Sequence, residues 1–513
     1  MSTPVKPARR SGGAPLTAET APPHAADRTA PIALGDIPAA TFAPAMHRVA
    51  DMVVDFLAHV GDRPVSPAIA PGAVRAQLPA TPPPDAEPLH QILDDYNRVI
   101  EPNTTHWNHP SFMAYFSSSG SAPGVLGETL AAALNVNAML WRTGPAATEL
   151  EEHVCDWLRQ MLALPDEFVG HINDTASIGS LLALAAARHR CGDAEIRQRG
   201  MAARSDLPAL VVYASEQAHS SIEKAAITLG IGLDHVRKIV TDDAFRMDVS
   251  ALTAAIAADR AAGRRPIAIV ATAGTTSTTS VDPLKAIARI ARAERLWYHV
   301  DAAHAGAAAI CPEYRPLFDG FEQADSIVVN PHKWLYTQKD CSVLLVREPA
   351  ALRSAFSLIP EYLRTTEAGA TNLMDYGVQL GRRFRALKLW MVIRAFGVRG
   401  IQERIRYHCG IVQALAKRIR EADAPAFEVC APTPFSTVCF RALVGATPEA
   451  QDAFNEKLLA ALNETRAVFL SHTKLRGRFV LRMSVGNLRT TAEHVEAAWS
   501  LIRATASAQV CGG

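Results

Sequence analysis

The middle of the chain alternates between short apolar segments and longer amphipathic ones. The short segments are rich in β-branched residues and read ALVVYAS (209–215), PIAIVATAG (266–274), LWYHVDAA (296–303) and DSIVVNPH (325–332). The stretches between them carry apolar residues three or four positions apart, which is the helical spacing. Strands that alternate with helices predict a mostly parallel sheet, and near-continuous apolar strands indicate that helices cover both of its faces.

The segment 148–162, TELEEHVCDWLRQML, shows the helical spacing clearly. The apolar residues of its one face are Leu150, Val154, Trp157, Leu158 and Met161. Thr148 and Glu151 have the spacing of a capping box, in which the two side chains bind backbone amides at the start of a helix. We therefore expect a helix that begins at about residue 148.

The remaining pattern divides the chain into four predicted segments. Residues 1–40 are rich in Ala, Pro and Thr without apolar periodicity, and they predict a disordered tail. We predict a helical dimerisation segment over residues 41–125 and a large α/β domain over residues 126–400. Residues 401–513 predict a small C-terminal α+β domain, which a long helix around 385–420 leads into.

Composition and charge narrow the classes of function. The chain has 49% hydrophobic and 20% charged residues, and a net charge of +1 gives no electrostatic reason to expect a nucleic-acid or anionic-membrane partner. Its 8 cysteines include no CxxC pair, so we expect neither a metal site nor a disulfide scaffold. No apolar run approaches the roughly 20 residues of a membrane helix, and the N-terminus lacks a signal-peptide pattern. We expect a cytoplasmic protein.

Polar residues follow four of the predicted strands, at the point where each strand ends. Ligands of open α/β sheets collect at the carboxyl ends of strands, so these residues are candidates for a site. Each alone is weak evidence, because a strand-end polar residue is more often a cap or a solvated loop residue. The candidates on the four successive strands are His219; Thr272 and Thr276; Asp301; and Asn330, His332 and Lys333.

Asp301 and Lys333 are the strongest pair of candidates. Asp301 ends an apolar strand, where a buried carboxylate needs either a structural Arg or Lys or the protonated ring nitrogen of a bound cofactor. Partial desolvation of Lys333 would lower its pKa and expose the neutral amine as a nucleophile. The two residues lie one strand–helix–strand step apart and can converge. Without Asp301, an exposed loop lysine would be the simpler interpretation of Lys333.

A candidate anion site precedes the helical segment SLLALAAAR. In NDTASIGS (173–180), Thr175, Ala176 and Ser177 would present backbone N–H groups and hydroxyls at a helix N-terminus, an arrangement that binds phosphate. By itself the same pattern is also that of an ordinary N-cap.

Longer motifs follow one another along the chain. They are HWNHPSFMAYF, PAATELEEHVCDWL, QAHSSIEKA, ATAGTTSTTSVDPL, HVDAAHAGAAAICPEYR, ADSIVVNPHKW and LGRRFRALKLW. From about residue 42 to the C-terminus the chain resembles the pyridoxal-phosphate-dependent group II decarboxylases, and within them the aromatic-L-amino-acid decarboxylases. The resemblance implies an aspartate-aminotransferase-like fold of type I, bound pyridoxal 5'-phosphate, and a homodimer with shared active sites. The stretch TNLMDYGVQ before LGRR is short, which resembles the bacterial members of this family.

The resemblance also implies roles for individual residues. Lys333 would bind the cofactor covalently, Asp301 would bind its pyridine nitrogen, and His219 would stack on its ring. Further cofactor contacts would come from Thr175, Ala176, Ser177, Thr276, Ala303, Asn330 and His332. Contacts to an amino-acid substrate would come from Tyr115, Phe116, Ser118, His219 and His332.

Tyr362 in IPEYLRTTE matches the family's mobile-loop tyrosine, which protonates the substrate carbon across the dimer interface. Relatives with Phe at that position resemble aldehyde synthases, so Tyr362 predicts simple decarboxylation to the amine and CO2. The aromatic AYF (114–116) favours tryptophan, tyrosine, DOPA or phenylalanine as substrate.

Several alternatives stay open. An aromatic aldehyde synthase, or a decarboxylase of glutamate, histidine or aspartate, would share most of these motifs. A non-catalytic binding protein is disfavoured, because it would not need the intact set of catalytic candidates. His304 stands where the family often has Tyr, which bears on substrate preference. Arg482 could bind a carboxylate or only support the small domain.

Overall fold

The computed structural model describes residues 35–191, 195–202, 204–358 and 369–511. The chain divides into two compact units, one up to Asp51 and one from Met52 onwards. The described part of the first unit includes the start of helix α1 (Ala39–His59). Residues 1–34 of the predicted tail lie outside the described residues.

Seven strands form the main sheet of the second unit. They are β1 (Val169–Asn173), β2 (Leu210–Ser215), β3 (Val236–Ile239), β4 (Arg265–Thr272), β5 (Trp297–Asp301), β6 (Ser326–Val329) and β7 (Ser342–Val346). Their order is β1-β7-β6-β5-β4-β2-β3. Strand β7 is antiparallel to both β6 and β1, and the other pairs are parallel. Strand β1 therefore runs in the same direction as β6, and six strands end at the same edge. The predicted mostly parallel sheet is confirmed.

The other helices that begin in the second unit follow one another along the chain. They are α2 (Leu89–Asp95), α3 (Ala122–Leu134), α4 (Pro145–Met161), α5 (Ala176–Arg190), α6 (Ile196–Arg199), α7 (Ser221–Thr228), α8 (Val249–Ala261), α9 (Leu284–Glu294), α10 (Pro331–Trp334), α11 (Pro349–Phe356), α12 (Ala386–Glu421), α13 (Pro448–Glu464) and α14 (Ala492–Cys511). Within the described ranges, none of the helices combines the length and apolarity that crossing a bilayer requires.

Both faces of the sheet are buried, as the apolar strands predict. In β2, Val211 and Tyr213 belong to one apolar cluster, while Val212 and Ala214 belong to another on the opposite face. Helices α8 and α9 continue the first cluster, and α5 and α7 continue the second. Helix α5 lies so close to the sheet that a Cβ atom at Gly179 would come within 2.9 Å of the Val328 side chain. Glycine at this position therefore allows the start of α5 to approach β6.

A smaller antiparallel sheet forms the C-terminal region. Its strands are β8 (Phe427–Val429), β9 (Thr437–Ala442), β10 (Ser471–Leu475) and β11 (Arg478–Ser484), in the order β10-β11-β9-β8. Helices α13, α14 and the later part of α12 pack against it around one apolar core. Helix α12 spans the predicted domain boundary at residue 400, with a kink at Gly397, whose φ is +63°. The four-segment division stays a prediction.

The capping-box prediction was wrong. Helix α4 begins at Pro145, three residues earlier than expected, and Thr148 does not cap it. Glu151 is buried and accepts hydrogen bonds from the Ile172 amide at 2.9 Å and from Arg382 Nη2 at 2.6 Å. Because a buried carboxylate requires such partners, Glu151 joins α4 to the sheet instead of closing the start of the helix.

Candidate active site

The shared strand edge brings the predicted residues together. Asp301 is the last residue of β5 and pairs in register with Thr272, the last residue of β4, and with Val328 in β6. The chain then leaves β6 through Asn330, whose amide donates to the Ala303 carbonyl at 3.0 Å. Lys333 follows on the short helix α10, so the carboxylate and the amine belong to neighbouring strand ends.

A cavity of about 370 Å³ opens beside these strand ends. Its lining residues are Trp107, Tyr115, Phe116, Ser118, His219, Thr276, Ser277, His332, Lys333, Lys339, Ser471, His472, Thr473 and Arg482. The lining residues that the sequence predicted are Tyr115, Phe116, Ser118, His219, Thr276, His332 and Lys333. The lining residues that the sequence reasoning missed are Trp107, Ser277, Lys339, Ser471, His472 and Thr473.

Lys333 has the electrostatic environment of a reactive amine. Burial lowers its pKa from the ordinary 10.5 to about 8, Asp301 opposes this change, and Lys339 and Arg482 add to it. Its Nζ atom lies 5.1 Å from the centre of the Phe116 ring. A lysine in this environment keeps a useful fraction of neutral amine near neutral pH, which a nucleophilic amine needs.

Asp301 is a buried carboxylate that makes no salt bridge within the described residues. The residue is 6% exposed, and its Oδ1 atom accepts one hydrogen bond, from the Ala303 amide at 3.1 Å. A buried carboxylate is stable only when charged or polar groups compensate it. The position therefore fits a protonated ring nitrogen as the missing partner.

Two histidines line the cavity as neutral rings. Burial is the largest cause of the lowered pKa of His219, and burial also lowers the pKa of His332 to about 3. The Nδ1 atom of His219 accepts from the Ser221 amide at 3.1 Å, and Nδ1 of His332 accepts from the Cys341 amide at 3.0 Å. Because Nδ1 is the acceptor in both, the neutral rings carry their proton on Nε2.

The predicted anion site lies at the start of α5, at the same edge of the sheet. Thr175 is the N-cap residue, and its side chain does not bind the helix amides. The amide and hydroxyl of Thr175 instead donate to Asp174 Oδ1 at 2.6 and 3.2 Å. Ala176 and Ser177 form the first turn, where backbone N–H groups lack partners within the helix. These residues do not belong to the lining of the cavity around Lys333.

Phe116 connects the cavity to a buried aromatic stack. The Phe116 ring lies parallel to His304 at 3.8 Å between centroids, and His304 lies parallel to Trp334 at 4.9 Å. Trp334 Nε1 donates to His408 Nδ1 at 3.0 Å. Burial holds the pKa of His304 well below its usual range, and neither of its ring nitrogens has a hydrogen-bond partner in the described structure.

Arg482 on β11 joins the small domain to the cavity. Its Nε atom donates to the Ser277 carbonyl at 3.0 Å, and Nη1 donates to the Tyr115 carbonyl. Its guanidinium carbon lies 4.5 Å from the centre of the Phe116 ring. Burial lowers its pKa to about 10, so it stays charged, and its buried Nη2 atom has no partner within the described residues. Arg482 thus supports the cavity wall and keeps one donor for an anion.

Tyr115 is held in a strained backbone conformation at the cavity wall. Its φ is +54°, in the left-handed region that non-glycine residues rarely adopt. The Ser471 hydroxyl accepts from its amide at 3.2 Å, and Arg482 binds its carbonyl. Two hydrogen bonds from the small domain therefore fix this residue. Such strain often accompanies a binding site.

Tyr362 lies outside the described residues, so its predicted role as a proton donor stays a prediction.

The residues present fit pyridoxal phosphate. The Asp301 carboxylate makes no salt bridge, Asn330 Oδ1 and Thr272 Oγ1 are buried without partners in the described structure, and a helix N-terminus lies at the same edge. With the lowered pKa of Lys333, this arrangement on this sheet defines a pyridoxal-phosphate enzyme of fold type I. The fold prediction is confirmed.

Comparison with known proteins gives the family. Residues 71–443 match the pyridoxal-dependent decarboxylase conserved domain, so the chain belongs to this family of pyridoxal-phosphate-dependent amino-acid decarboxylases. It is 40% identical over 470 residues to tryptophan decarboxylase 2 of Oryza sativa subsp. japonica, covering 89% of this chain and 93% of that protein. It is also 40% identical over 474 residues to phenylacetaldehyde synthase of Arabidopsis thaliana, covering 90% of this chain and 95% of that protein.

A solved structure agrees with this assignment. The structure of Oryza sativa TDC with PLP and tryptamine matches with a TM-score of 0.88 and 38% identity, over 93% of this chain and 99% of that one. The predictions of the family, the cofactor and the enzyme class are confirmed.

Proposed function

We propose that this decarboxylase converts an aromatic L-amino acid to its amine and CO2. The observation that carries the proposal is the aromatic part of the cavity lining, Trp107, Tyr115 and Phe116, of which Phe116 lies 5.1 Å from the amine of Lys333. Trp107 and Tyr115 are nearly parallel, with centroids 5.8 Å apart and an interplanar angle of 14°. Aromatic walls of this kind favour a planar substrate ring, because stacked rings gain more than buried area alone. The rice relative is named a tryptophan decarboxylase.

The cofactor would be held by residues at the strand ends. Lys333 would bind it covalently, Asp301 would keep a proton on its ring nitrogen, and His219 would stack on its ring. When bound, pyridoxal phosphate supplies an electron-poor ring that accepts the electron pair of the broken Cα–carboxylate bond. The remaining proposed contacts are Thr175, Ala176, Ser177, Thr276, Ala303, Asn330 and His332.

The protein's own residues would orient the substrate and control its protons. The unpartnered Nη2 donor of Arg482 suits the substrate carboxylate, beside the Phe116 ring that also contacts Lys333. Fixing the carboxylate there would set the angle at which its bond to Cα meets the cofactor. The Nε2 protons of His219 and His332 complete the polar lining, with Tyr115, Phe116 and Ser118 on the substrate side.

The return of a proton to Cα is assigned to Tyr362. Its identity as Tyr is read from the sequence, and its position is a proposal that rests on the family resemblance. We expect Tyr362→Phe to lower amine formation and to shift the product toward the aldehyde. Equal amounts of amine from the variant and the wild type would contradict this role.

An aldehyde synthase is the second candidate, because the relative of 40% identity from Arabidopsis thaliana is named phenylacetaldehyde synthase. One assay separates the candidates. The purified protein loaded with pyridoxal phosphate is given tryptophan, tyrosine, DOPA, phenylalanine, glutamate, histidine and aspartate, and CO2, amine, ammonia and peroxide are measured. Aromatic amine with CO2 and without peroxide supports the proposal. Peroxide and ammonia in equal amounts with CO2 would overturn it, and Lys333→Ala is the inactive control.

A homodimer with shared active sites is proposed as the assembly. Leu126, Leu130 and Leu134 recur every four residues on α3 and are exposed in the single chain. Apolar residues at this spacing form one helix face, which a second copy of the chain would cover. Light scattering should give twice the mass of 55.2 kDa. We expect Leu130→Glu to yield monomers with reduced activity. A wild-type protein that stays monomeric would contradict the proposal.

The cytoplasmic location stays a prediction.

A further inference from the structure

Lys339 is a second lysine in the lining of the cavity. Its Nζ atom lies 4.6 Å from the centre of the Trp107 ring. In the described structure it makes no salt bridge, and the neighbouring Asp340 pairs with Arg385 at 2.9 Å and with Lys388 at 3.7 Å. An exposed ammonium group therefore stands over an aromatic wall of the site.

The charges of the lining are all of one sign. Lys333, Lys339 and Arg482 are positive, and none of the fourteen lining residues is acidic. Lys333 serves the cofactor, and Arg482 is bound to the carbonyls of Ser277 and Tyr115. Lys339 is the cation that the proposed reaction does not use.

Lys339 also acts on the reacting groups through its charge. It is one of the groups that lower the pKa values of Lys333 and His332. Its ammonium therefore lies within electrostatic reach of the site and does not merely extend into solvent. A ligand oxygen that accepted its hydrogen bond would lie inside the same cavity.

The neighbouring rings restrict what that ligand can be. Trp107 stacks on Tyr115 and Lys339 lies over the Trp107 ring, so the ammonium stands at the aromatic side of the cavity. A lysine ammonium has three donors and no acceptor, and it binds an oxygen that carries lone pairs. An aromatic ring that carries a hydroxyl group can pack against the aromatic side chains and also accept the hydrogen bond of the lysine. A side-chain carboxylate would satisfy the lysine and leave the rings without a partner.

We infer that Lys339 binds the ring hydroxyl of a phenolic L-amino acid and thereby determines substrate preference. The inference rests on the proposed function and narrows it to substrates of the tyrosine and DOPA kind. A hydrogen bond from a charged donor in a partly solvated position contributes about tenfold in kcat/KM. Unsubstituted rings lack the acceptor and do not gain this factor.

Four proteins test the inference, each loaded with pyridoxal phosphate: the wild type, Lys339→Met, Lys339→Arg and the control Lys457→Met. Lys457 lies on α13, is exposed and is not part of the cavity. Lys339→Met should lower kcat/KM for tyrosine about tenfold, mostly by raising KM. The kcat/KM of this variant for phenylalanine should stay within about twofold of the wild-type value. Lys339→Arg should keep most of the preference, and Lys457→Met should match the wild type.

Binding without turnover gives an independent reading. Inhibition constants are measured for 4-hydroxyphenethylamine and for phenethylamine, which differ only in the hydroxyl. The wild type should bind the hydroxylated amine more tightly, and Lys339→Met should remove this difference. Equal loss for both amines, or no loss for either, would overturn the role of Lys339.

Failure of the inference can be told apart from failure of the proposed function. If the wild type decarboxylates tyrosine and phenylalanine and Lys339→Met affects both equally, only the inference on Lys339 fails. If the wild type acts on glutamate or aspartate and on no aromatic amino acid, the proposed function fails and the inference fails with it.

Discussion

The lowered pKa of Lys333 leads to a prediction about the apoprotein. A pKa of about 8 in place of 10.5 means that the folded structure disfavours the charged amine by about 3 kcal/mol. At pH 7, about one molecule in ten then carries the neutral amine, against about one in three thousand for an ordinary lysine. Burial is the largest cause, and the carboxylate of Asp301 opposes it. The variant Asp301→Asn should therefore lower the pKa further.

Competitive amine labelling measures this pKa directly. The apoprotein is treated with a limiting amount of an acylating reagent from pH 6 to 11, and the peptide that contains residue 333 is quantified by mass spectrometry. The exposed Lys457 in the same sample gives the reference curve. We expect the midpoint for Lys333 near pH 8, and a lower midpoint in Asp301→Asn. Identical curves for the two lysines, or a higher midpoint in Asp301→Asn, would refute the reasoning.

The same pKa change predicts how stability depends on pH. Below pH 8 the amine is protonated in both the folded and the unfolded chain, so the folded apoprotein bears the full penalty of about 3 kcal/mol. Between pH 8 and 10.5 the unfolded chain binds more protons, and the free energy of unfolding rises. Lys333→Met should therefore stabilise the apoprotein at pH 7, and its advantage should shrink toward pH 10.5. Denaturant unfolding at both pH values measures the difference.

Three further predictions concern two buried residues, Arg382 and His304. Arg382→Met leaves the buried Glu151 carboxylate without its 2.6 Å partner, and it should lower the free energy of unfolding by about 3–5 kcal/mol in denaturant titrations. His304→Phe keeps the stack between Phe116 and Trp334 and removes two unpartnered ring nitrogens, so the melting temperature should stay equal or rise. His304→Leu should lower the melting temperature and raise KM, because Phe116 loses its support.

The strand-end half of the site could be predicted from the sequence because its geometry follows from the sheet. Parallel strands bring their carboxyl ends to one edge, so polar residues that follow successive apolar strands must meet there. The prediction that Asp301 and Lys333 lie close together rests on this rule and on their positions along the chain. The register of β4, β5 and β6 agrees with it.

Glu151 shows where local spacing misleads. Its position three residues after Thr148 satisfies the capping-box pattern, and nothing nearby in sequence contradicts it. Its actual partner, Arg382, is 231 residues further along the chain. A spacing rule sees only neighbours in sequence, so it cannot distinguish a carboxylate that caps a helix from one that pairs with a distant cation.

The part of the cavity that the small sheet lines had no signal in the sequence, for the same reason. Ser471, His472 and Thr473 belong to β10, the edge strand of the small sheet, and reach the cavity only because that sheet packs against the loop after β4. The Thr473 hydroxyl lies 2.8 Å from the hydroxyl of Ser277 in that loop, and Arg482 binds the Ser277 carbonyl. These contacts join residues about 200 positions apart. Ser471, His472 and Thr473 are thus placed by docking of the small sheet, which no local pattern encodes, whereas the residues expected to hold the cofactor are placed by the strands themselves.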